Sequence, residues 1–375
     1  MMQEKNKTVL ITSNYAWTIF NFRMPLIKRL RSEGYHVIVL TQFDGYEGYI
    51  AQEVNQIRNL LISRKGLNPF LDSLTILDFV KTLIICKPDI LMPFTIKPLI
   101  YSSIAAKLTN VRSIVMITGL GTAFASDSWL KKLVITLYRF ALSSVPIVIF
   151  QNDDDKNIFL KERIVNENVC RMSPGSGVDL DKFSYTDVPE GKSINFLFIG
   201  RVIWDKGVKE FVDAARNIRL NYPNAHFQIL GPLGVENRTS VSNLKVEEWQ
   251  EEGVIEYLGE TDNVLKYLKK ASCIVLPSYR EGTSRVLLEA AAVGRPIIAS
   301  NVPGCREIVD DGVNGYLCDS KDYVSLSKKI ELMLNLPYDL RKEMGIKGRE
   351  KVELKFNQDI VCDIYVNAIK ECEAY

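Results

Sequence analysis

Histidine is nearly absent from this chain of 375 residues; His36 and His226 are the two present, each within a strand-like run. A histidine-based acyl-transfer triad or acid–base pair is therefore not credible. The seven cysteines (Cys86, Cys170, Cys273, Cys305, Cys318, Cys362, Cys372) form no C-x-x-C pair, and most sit in apolar surroundings. That argues against a disulfide framework or a zinc site and for reduced, buried thiols in a cytosolic protein. No run approaches the ~20 apolar residues of a membrane span. Phe140–Phe150 is too short, and Leu83–Phe94 is interrupted by Lys87, Pro88 and Asp89. Met1 to Lys7 is polar, with no apolar stretch before the first strand, so no signal peptide is expected. Low-complexity tracts and repeats of about 20–50 residues are also missing.

What is present is an ordinary globular composition, 47% hydrophobic and 25% charged, on a chain too long for one core. Single cores rarely grow past ~250–300 residues, so two domains are expected. The net charge of +2 hides an asymmetry. Residues 1–150 hold 17 Lys and Arg against 9 Asp and Glu, a net of +8; the remainder holds 30 against 36, a net of −6. A basic first half could face phosphates or an anionic membrane, or carry scattered solvated lysines.

Short β-branched runs alternate with longer helical patterns, the mark of βαβ units and parallel sheets. Expected strands are Thr8–Thr12, His36–Leu40, Ile114–Ile117, Ile147–Phe150, Asn195–Ile199, Ala225–Leu230, Ile255–Leu258, Ser272–Leu276 and Pro296–Ala299. One helix is expected over Phe20–Leu30. The stretch Tyr185–Ser193 is polar, holds Pro189 and Gly191, and reads as a linker; Phe196-Leu-Phe-Ile-Gly-Arg201 then restarts the pattern. The expectation is two doubly wound Rossmann-like α/β domains at 1–185 and 190–350, facing a central cleft. In the remaining segment, 351–375, a last helix could cross back to the first domain. Open parallel sheets bind ligands at the carboxyl ends of their strands.

Two segments follow strands in this way. After Cys273–Leu276 comes Pro277-Ser-Tyr-Arg-Glu281-Gly-Thr-Ser-Arg-Val-Leu-Leu-Glu289, with a helix starting near Thr283 or Ser284. Its first-turn N–H groups would attract an anion, and a carboxylate suits the vicinal hydroxyls of a sugar. After Asn195–Ile199 comes Gly200-Arg201-Val-Ile-Trp-Asp-Lys206-Gly207. The glycine permits close backbone approach, and Arg201 and Lys206 could neutralise a leaving pyrophosphate. Taken singly, each segment is equally a surface loop with solvated charges.

Together with Gly231, Tyr257-Leu-Gly259, Gly294-x-Pro296 and Asp311-Gly-x-x-Gly315 in order, these residues resemble glycosyltransferase family 4, which has the GT-B fold. The resemblance covers nearly the whole chain. It implies that Glu281 contacts the donor sugar and Glu289 the nucleotide ribose. Arg201 and Lys206 would hold the diphosphate beside Gly200. Gly282, Thr283 and Ser284 would donate to phosphate or sugar, and Leu258 would line the base pocket. Ser284 departs from the family, where proline is frequent. So does the loop Thr118–Gly121, which lacks a histidine often found there.

In the first half, Asn21-Phe-Arg23-Met-Pro25, Thr95-Ile-Lys97-Pro98 and Thr118-Gly119-Leu-Gly121 are similar to bacterial capsule, O-antigen and protein-glycosylation transferases acting on undecaprenyl-diphosphate-linked sugars. Arg23, Lys97 and Gly119 would then face the acceptor, although Arg23 could simply cap a surface helix and Lys97 be solvated. Asp153–Asp155 invites a metal reading, but Asp at a helix start is ordinary capping. The resemblance implies no metal or cofactor beyond a UDP-sugar co-substrate. The helical pattern Trp129–Phe140, basic and aromatic, could lie on an anionic membrane or face the core.

The resulting expectation is a retaining hexosyl- or N-acetylhexosaminyltransferase, cytoplasmic and peripheral on the inner face of the plasma membrane. Its partners would be a UDP-sugar, a lipid-linked sugar and the anionic membrane surface, with no nucleic acid. Alternatives are transfer to a soluble sugar, a UDP-sugar 2-epimerase, or an inactive sugar-nucleotide-binding protein.

Overall fold

The computed structural model describes residues 7–62, 68–120, 124, 129–235, 237 and 239–374. The chain divides into two compact units, Met1–Ser176 with Asp359–Tyr375, and Gly177–Gln358.

The first unit is built on a parallel sheet of β1 (Thr8–Ser13), β2 (His36–Thr41), β3 (Gln56–Asn59), β4 (Ile90–Pro93), β5 (Arg112–Ile117), β6 (Ile147–Phe150) and β7 (Cys170–Met172). Its order is β3-β2-β1-β4-β5-β6-β7. Helices α1 (Ala16–Phe22), α2 (Met24–Ser32) and α3 (Glu47–Ala51) follow β1 and β2, while α4 (Pro69–Cys86), α5 (Ile96–Thr109), α6 (Trp129–Leu142) and α7 (Asp153–Lys161) follow later. Each sheet face has its own core. Leu10, Phe79, Leu99, Tyr138 and Phe159 fill one, and Ile11, Ile19, Leu26, Tyr365 and Ile369 the other.

The second unit carries β8 (Ile194–Ile199), α8 (Val208–Arg219), β9 (Ala225–Leu230), α9 (Asn243–Glu251), β10 (Glu256–Tyr257), α10 (Val264–Leu268), β11 (Cys273–Leu276), α11 (Arg285–Ala292), β12 (Ile297–Ser300) and β13 (Gly315–Cys318). Helices α12 (Tyr323–Asn335) and α13 (Tyr338–Lys355) complete it, and α14 (Gln358–Glu373) packs on the first unit's second core. The parallel sheet runs β10-β9-β8-β11-β12-β13. Strands β11 and β12 are buried at every position, as parallel strands covered on both faces must be. That is why they read as unbroken apolar runs.

Three expectations need correction. The single helix over Phe20–Leu30 is two helices, broken at Arg23, whose φ is −126°. Pro25 lacks an N–H and its ring would clash with the carbonyl four residues back, so the chain restarts with Pro25 in the first turn of α2. The domain limits 1–185, 190–350 and 351–375 also move. Tyr185–Ser193 is not a free linker: the Thr186 N–H donates to Val293 O at 3.1 Å, and the Arg295 guanidinium donates to the carbonyls of Thr186 and Asp187. The parting falls at Ser176/Gly177 instead. Gly177 has φ +71°, and a Cβ there would lie 2.6 Å from Gln358 Cα. Finally, the strand expected over Ile255–Leu258 shrinks to Glu256–Tyr257.

Candidate active site

In the second sheet the strand order reverses between β8 and β11, which puts the topological switch point there. The loops leaving these two strands are the two motif-bearing segments of the sequence. Glycine makes the close packing possible. Gly231 (φ +147°) would place a Cβ 2.0 Å from Gly200 O. Gly207 (φ +74°), which ends the 3-10 turn Trp204–Lys206, would place one 2.0 Å from Pro277 O. The loop after β8 thus lies directly on the loop after β11. The Tyr279 N–H donates to Asp205 O at 2.9 Å and ties them together.

This packing brings Lys206 to Glu281. The Lys206 ammonium donates to Glu281 Oε1 in an ion pair whose side chains are 21% and 12% exposed. Arg201 is exposed next to Gly200. Glu281 is positioned by its backbone, whose N–H donates to Pro303 O at 3.1 Å. Gly282 and Thr283 are partly exposed in the same loop. Ser284 occupies the N-cap of α11 in extended conformation, its side chain making no cap bond and its N–H donating to Gly304 O at 3.0 Å. Leu258 follows β10, its N–H donating to Ile229 O at 2.8 Å.

Glu289 lies inside α11, buried. The Arg285 Nε donates to its Oε1 at 2.7 Å. Burial pushes the Glu289 carboxyl above its ordinary range, and the charges of Arg285 and Lys182 pull it back. A buried carboxylate one turn beyond its own cation can accept hydrogen bonds from hydroxyls brought by a ligand.

Two residues that serve this site were not singled out from the sequence. Gly304 (φ +80°) packs on the Glu281 loop so tightly that a Cβ would lie 2.5 Å from Gly282 O and 2.6 Å from Glu281 Cβ. Its signal was the Pro-Gly turn after β12. Arg285 was visible as a cation four residues before Glu289 on one helix face.

The residues expected on the acceptor side lie in the first unit. Arg23 is not on a surface: it is 4% exposed, its guanidinium 4.0 Å from the Phe94 ring centroid and 5.9 Å from that of Tyr365. Aromatic faces stabilise the cation where water is excluded. Neither surface cap nor direct acceptor contact fits that burial. Lys97 pairs with Asp72 at 3.3 Å. Gly119 follows β5 with φ +136° and open space where a Cβ would stand; Gly121 lies outside the described residues. Asp153–Asp155 opens α7, where the Asn152 side chain accepts from the Asp155 N–H at 2.8 Å.

Comparison with known proteins decides the class. A family model described as "Glycosyl transferases group 1" matches residues 186–351, and one described as "Glycosyl transferase 4-like" matches 8–152. The chain belongs to glycosyltransferase family 4. This glycosyltransferase is 27% identical to the N,N'-diacetylbacillosaminyl-diphospho-undecaprenol alpha-1,3-N-acetylgalactosaminyltransferase of Campylobacter jejuni, over 94% of this chain and 96% of that one. It is 28% identical to the UDP-Gal:alpha-D-GlcNAc-diphosphoundecaprenol alpha-1,3-galactosyltransferase of Escherichia coli, over 76% of each. Among solved structures, Anabaena HepE in complex with UDP superposes with a TM-score of 0.79 at 16% identity, over 98% of this chain and all of that one. The fold is GT-B, two Rossmann-like α/β domains with parallel sheets.

Proposed function

We propose that this glycosyltransferase moves a hexose or N-acetylhexosamine from a UDP-sugar to a sugar carried on a polyprenyl diphosphate, with retention, at the cytoplasmic face of the membrane. The observation that carries the reading is the Lys206–Glu281 pair at the β8/β11 switch point, with Glu289 in the helix behind it. The printed names of both relatives describe sugars linked to undecaprenol diphosphate and alpha linkages, and one names UDP-Gal as donor. HepE was solved with UDP.

In this proposal Glu289 accepts from the ribose hydroxyls and Leu258 lies against the base. Gly200, Gly282, Thr283 and Ser284 donate to phosphate or sugar. The bond between the sugar C1 and the diphosphate oxygen breaks, and a bond from C1 to the acceptor hydroxyl oxygen forms on the same face. The acceptor's proton passes to the departing phosphate oxygen. Arg201 and Lys206 offset the charge that develops there, so the proposal includes no metal or cofactor. Glu281 holds the donor sugar in register, and catalysis is positioning plus electrostatics. Lys97 and Gly119 serve the acceptor, with Arg23 as buried support.

The test is a panel of UDP- and GDP-sugars with sugar-diphosphate-lipid and free-sugar acceptors, read by product NMR. An α-linked product on the lipid-linked acceptor is expected. Preference for free sugars, a β-linked product, or 2-epimerisation without acceptor would overturn the reading.

A further inference from the structure

Helix α4 carries its apolar side chains on the wrong face for a solvated helix. Its core-facing positions are Thr75, Phe79, Thr82 and Leu83. Facing out are Phe70, Leu71, Leu74, Leu77, Ile84 and Ile85, with Phe70 71% and Leu77 62% exposed. Positions 70, 74, 77, 81 and 84 recur at helical spacing and form one stripe. Its polar member is Lys81. Exposed apolar area of this continuity marks a surface that meets something.

The neighbouring helices on this side of the sheet add both apolar and basic groups. Leu108, Trp129 and Phe140 are exposed, and Lys107 Nζ lies 4.6 Å from the Phe140 ring centroid. Helices α4, α5 and α6 together carry six Lys and Arg against Asp72 and Asp78, a net of +4. Beside the stripe a cavity of about 250 Å³ is lined by Arg58, Asn59, Asp78, Lys81 and Ile85 among others. Two cations and an amide suit a phosphate, and Asp78 can accept from a headgroup hydroxyl.

Apolar side chains framed by cations are the signature of an element lying in a membrane interface. A second copy of the same face would meet it with like charge. We propose that the outer face of α4, continued by α5 and α6, docks on an anionic lipid bilayer, with the Arg58–Lys81 cavity receiving a lipid phosphate. The choice of a bilayer rests on the lipid-linked acceptor reading; the surface stands on its own. No described helix is long and apolar enough to cross a membrane, so the contact is peripheral.

The test is flotation of the full chain with phosphatidylcholine vesicles, with and without phosphatidylglycerol, in the absence of donor and acceptor. Binding is expected with phosphatidylglycerol and should weaken with salt. Leu74→Glu with Leu77→Glu should lower the partition coefficient roughly a hundredfold. Arg58→Gln with Lys81→Gln should remove most of the preference for the anionic lipid. Both variants should keep the wild-type thermal midpoint and UDP affinity, since all four side chains lie outside the sugar-nucleotide site. Absence of wild-type flotation, or variants that float like wild type, would overturn the proposal. So would a wild-type dimer in sedimentation that the Leu74→Glu/Leu77→Glu variant abolishes, since the occupant would then be a second copy. Flotation without transfer to a lipid-linked acceptor would count against the transferase reading and leave the docking surface standing.

Discussion

The Lys206 ammonium and the Glu281 carboxylate meet across the β8/β11 switch point, 75 residues apart in the chain. Both side chains are largely buried, so each depends on the other for compensation of its charge. A donor diphosphate arriving there would meet a cation already oriented, and a donor sugar would meet a carboxylate already held.

Removing the carboxylate charge while keeping its shape separates binding from turnover. Glu281→Gln should lower kcat by roughly a hundredfold or more, with UDP affinity within a few-fold of wild type. Single-turnover kinetics and UDP titration calorimetry check this. A variant that retains wild-type kcat would remove Glu281 from the reaction.

The Arg285–Glu289 pair makes a prediction about pH. Burial raises the Glu289 carboxyl and Arg285 lowers it. Arg285→Gln should therefore raise it further, and the acid-side loss of donor affinity should move to higher pH. KM for the donor measured across pH reads this shift; an unmoved profile would mean that Arg285 serves only packing.

Linkage gives the same carboxyl a stability signature. Its folded value is raised, so the stability linked to its protonated form is complete below the unfolded carboxyl range. That stability is lost as pH rises through the folded value. Glu289→Gln should flatten the decline of the thermal midpoint between acid and neutral pH, yet weaken UDP-sugar binding about tenfold. Thermal scans of the apo protein at several pH values, beside donor titrations, test both halves.

Gly304→Ala probes the seat of the Glu281 loop. The left-handed backbone and the contact with Gly282 O leave no room for a methyl group. A loss of about 2–4 kcal/mol is expected, with activity falling further than stability accounts for. Denaturant midpoints and kcat measured well below the melting range distinguish the two effects.

Arg295 is fully buried and holds the polar segment Tyr185–Ser193 at Thr186 and Asp187. It donates to Thr186 Oγ1 at 2.9 Å, Asp187 O at 2.8 Å and Val293 O at 3.0 Å. Arg295→Met would leave Thr186 Oγ1 and Asp187 O without this donor, at about 3–5 kcal/mol. Urea unfolding should show it, while UDP affinity of the folded fraction stays unchanged.

Much of this was legible from residues 1 to 375 alone. Ile147–Phe150 is a strand with the bounds expected of it, because a strand buried on both faces is apolar throughout. Ala225–Leu230 also keeps its bounds, its apolar run interrupted by an exposed His226 and a half-buried Gln228. Strand β3, with the sequence Gln-Ile-Arg-Asn at a sheet edge, offered no such run, and β13 is four residues opened by a glycine. The break at Arg23 was hidden by an apolar spacing that continues through it, although Pro25 announced it.

The sequence by itself determined the alternating βα order, the restart near residue 195, and the glycines and charges placed just after strands. These are local properties: periodicity, turn chemistry and the backbone freedom of glycine act over a few residues. Only the tertiary structure decided that Lys206 pairs with Glu281, that Arg23 stacks in the interior on Phe94, and that α4 turns Leu71, Leu74 and Leu77 outward. Each depends on which strands become neighbours and which helix face the sheet covers, and those choices are made by packing across the whole unit.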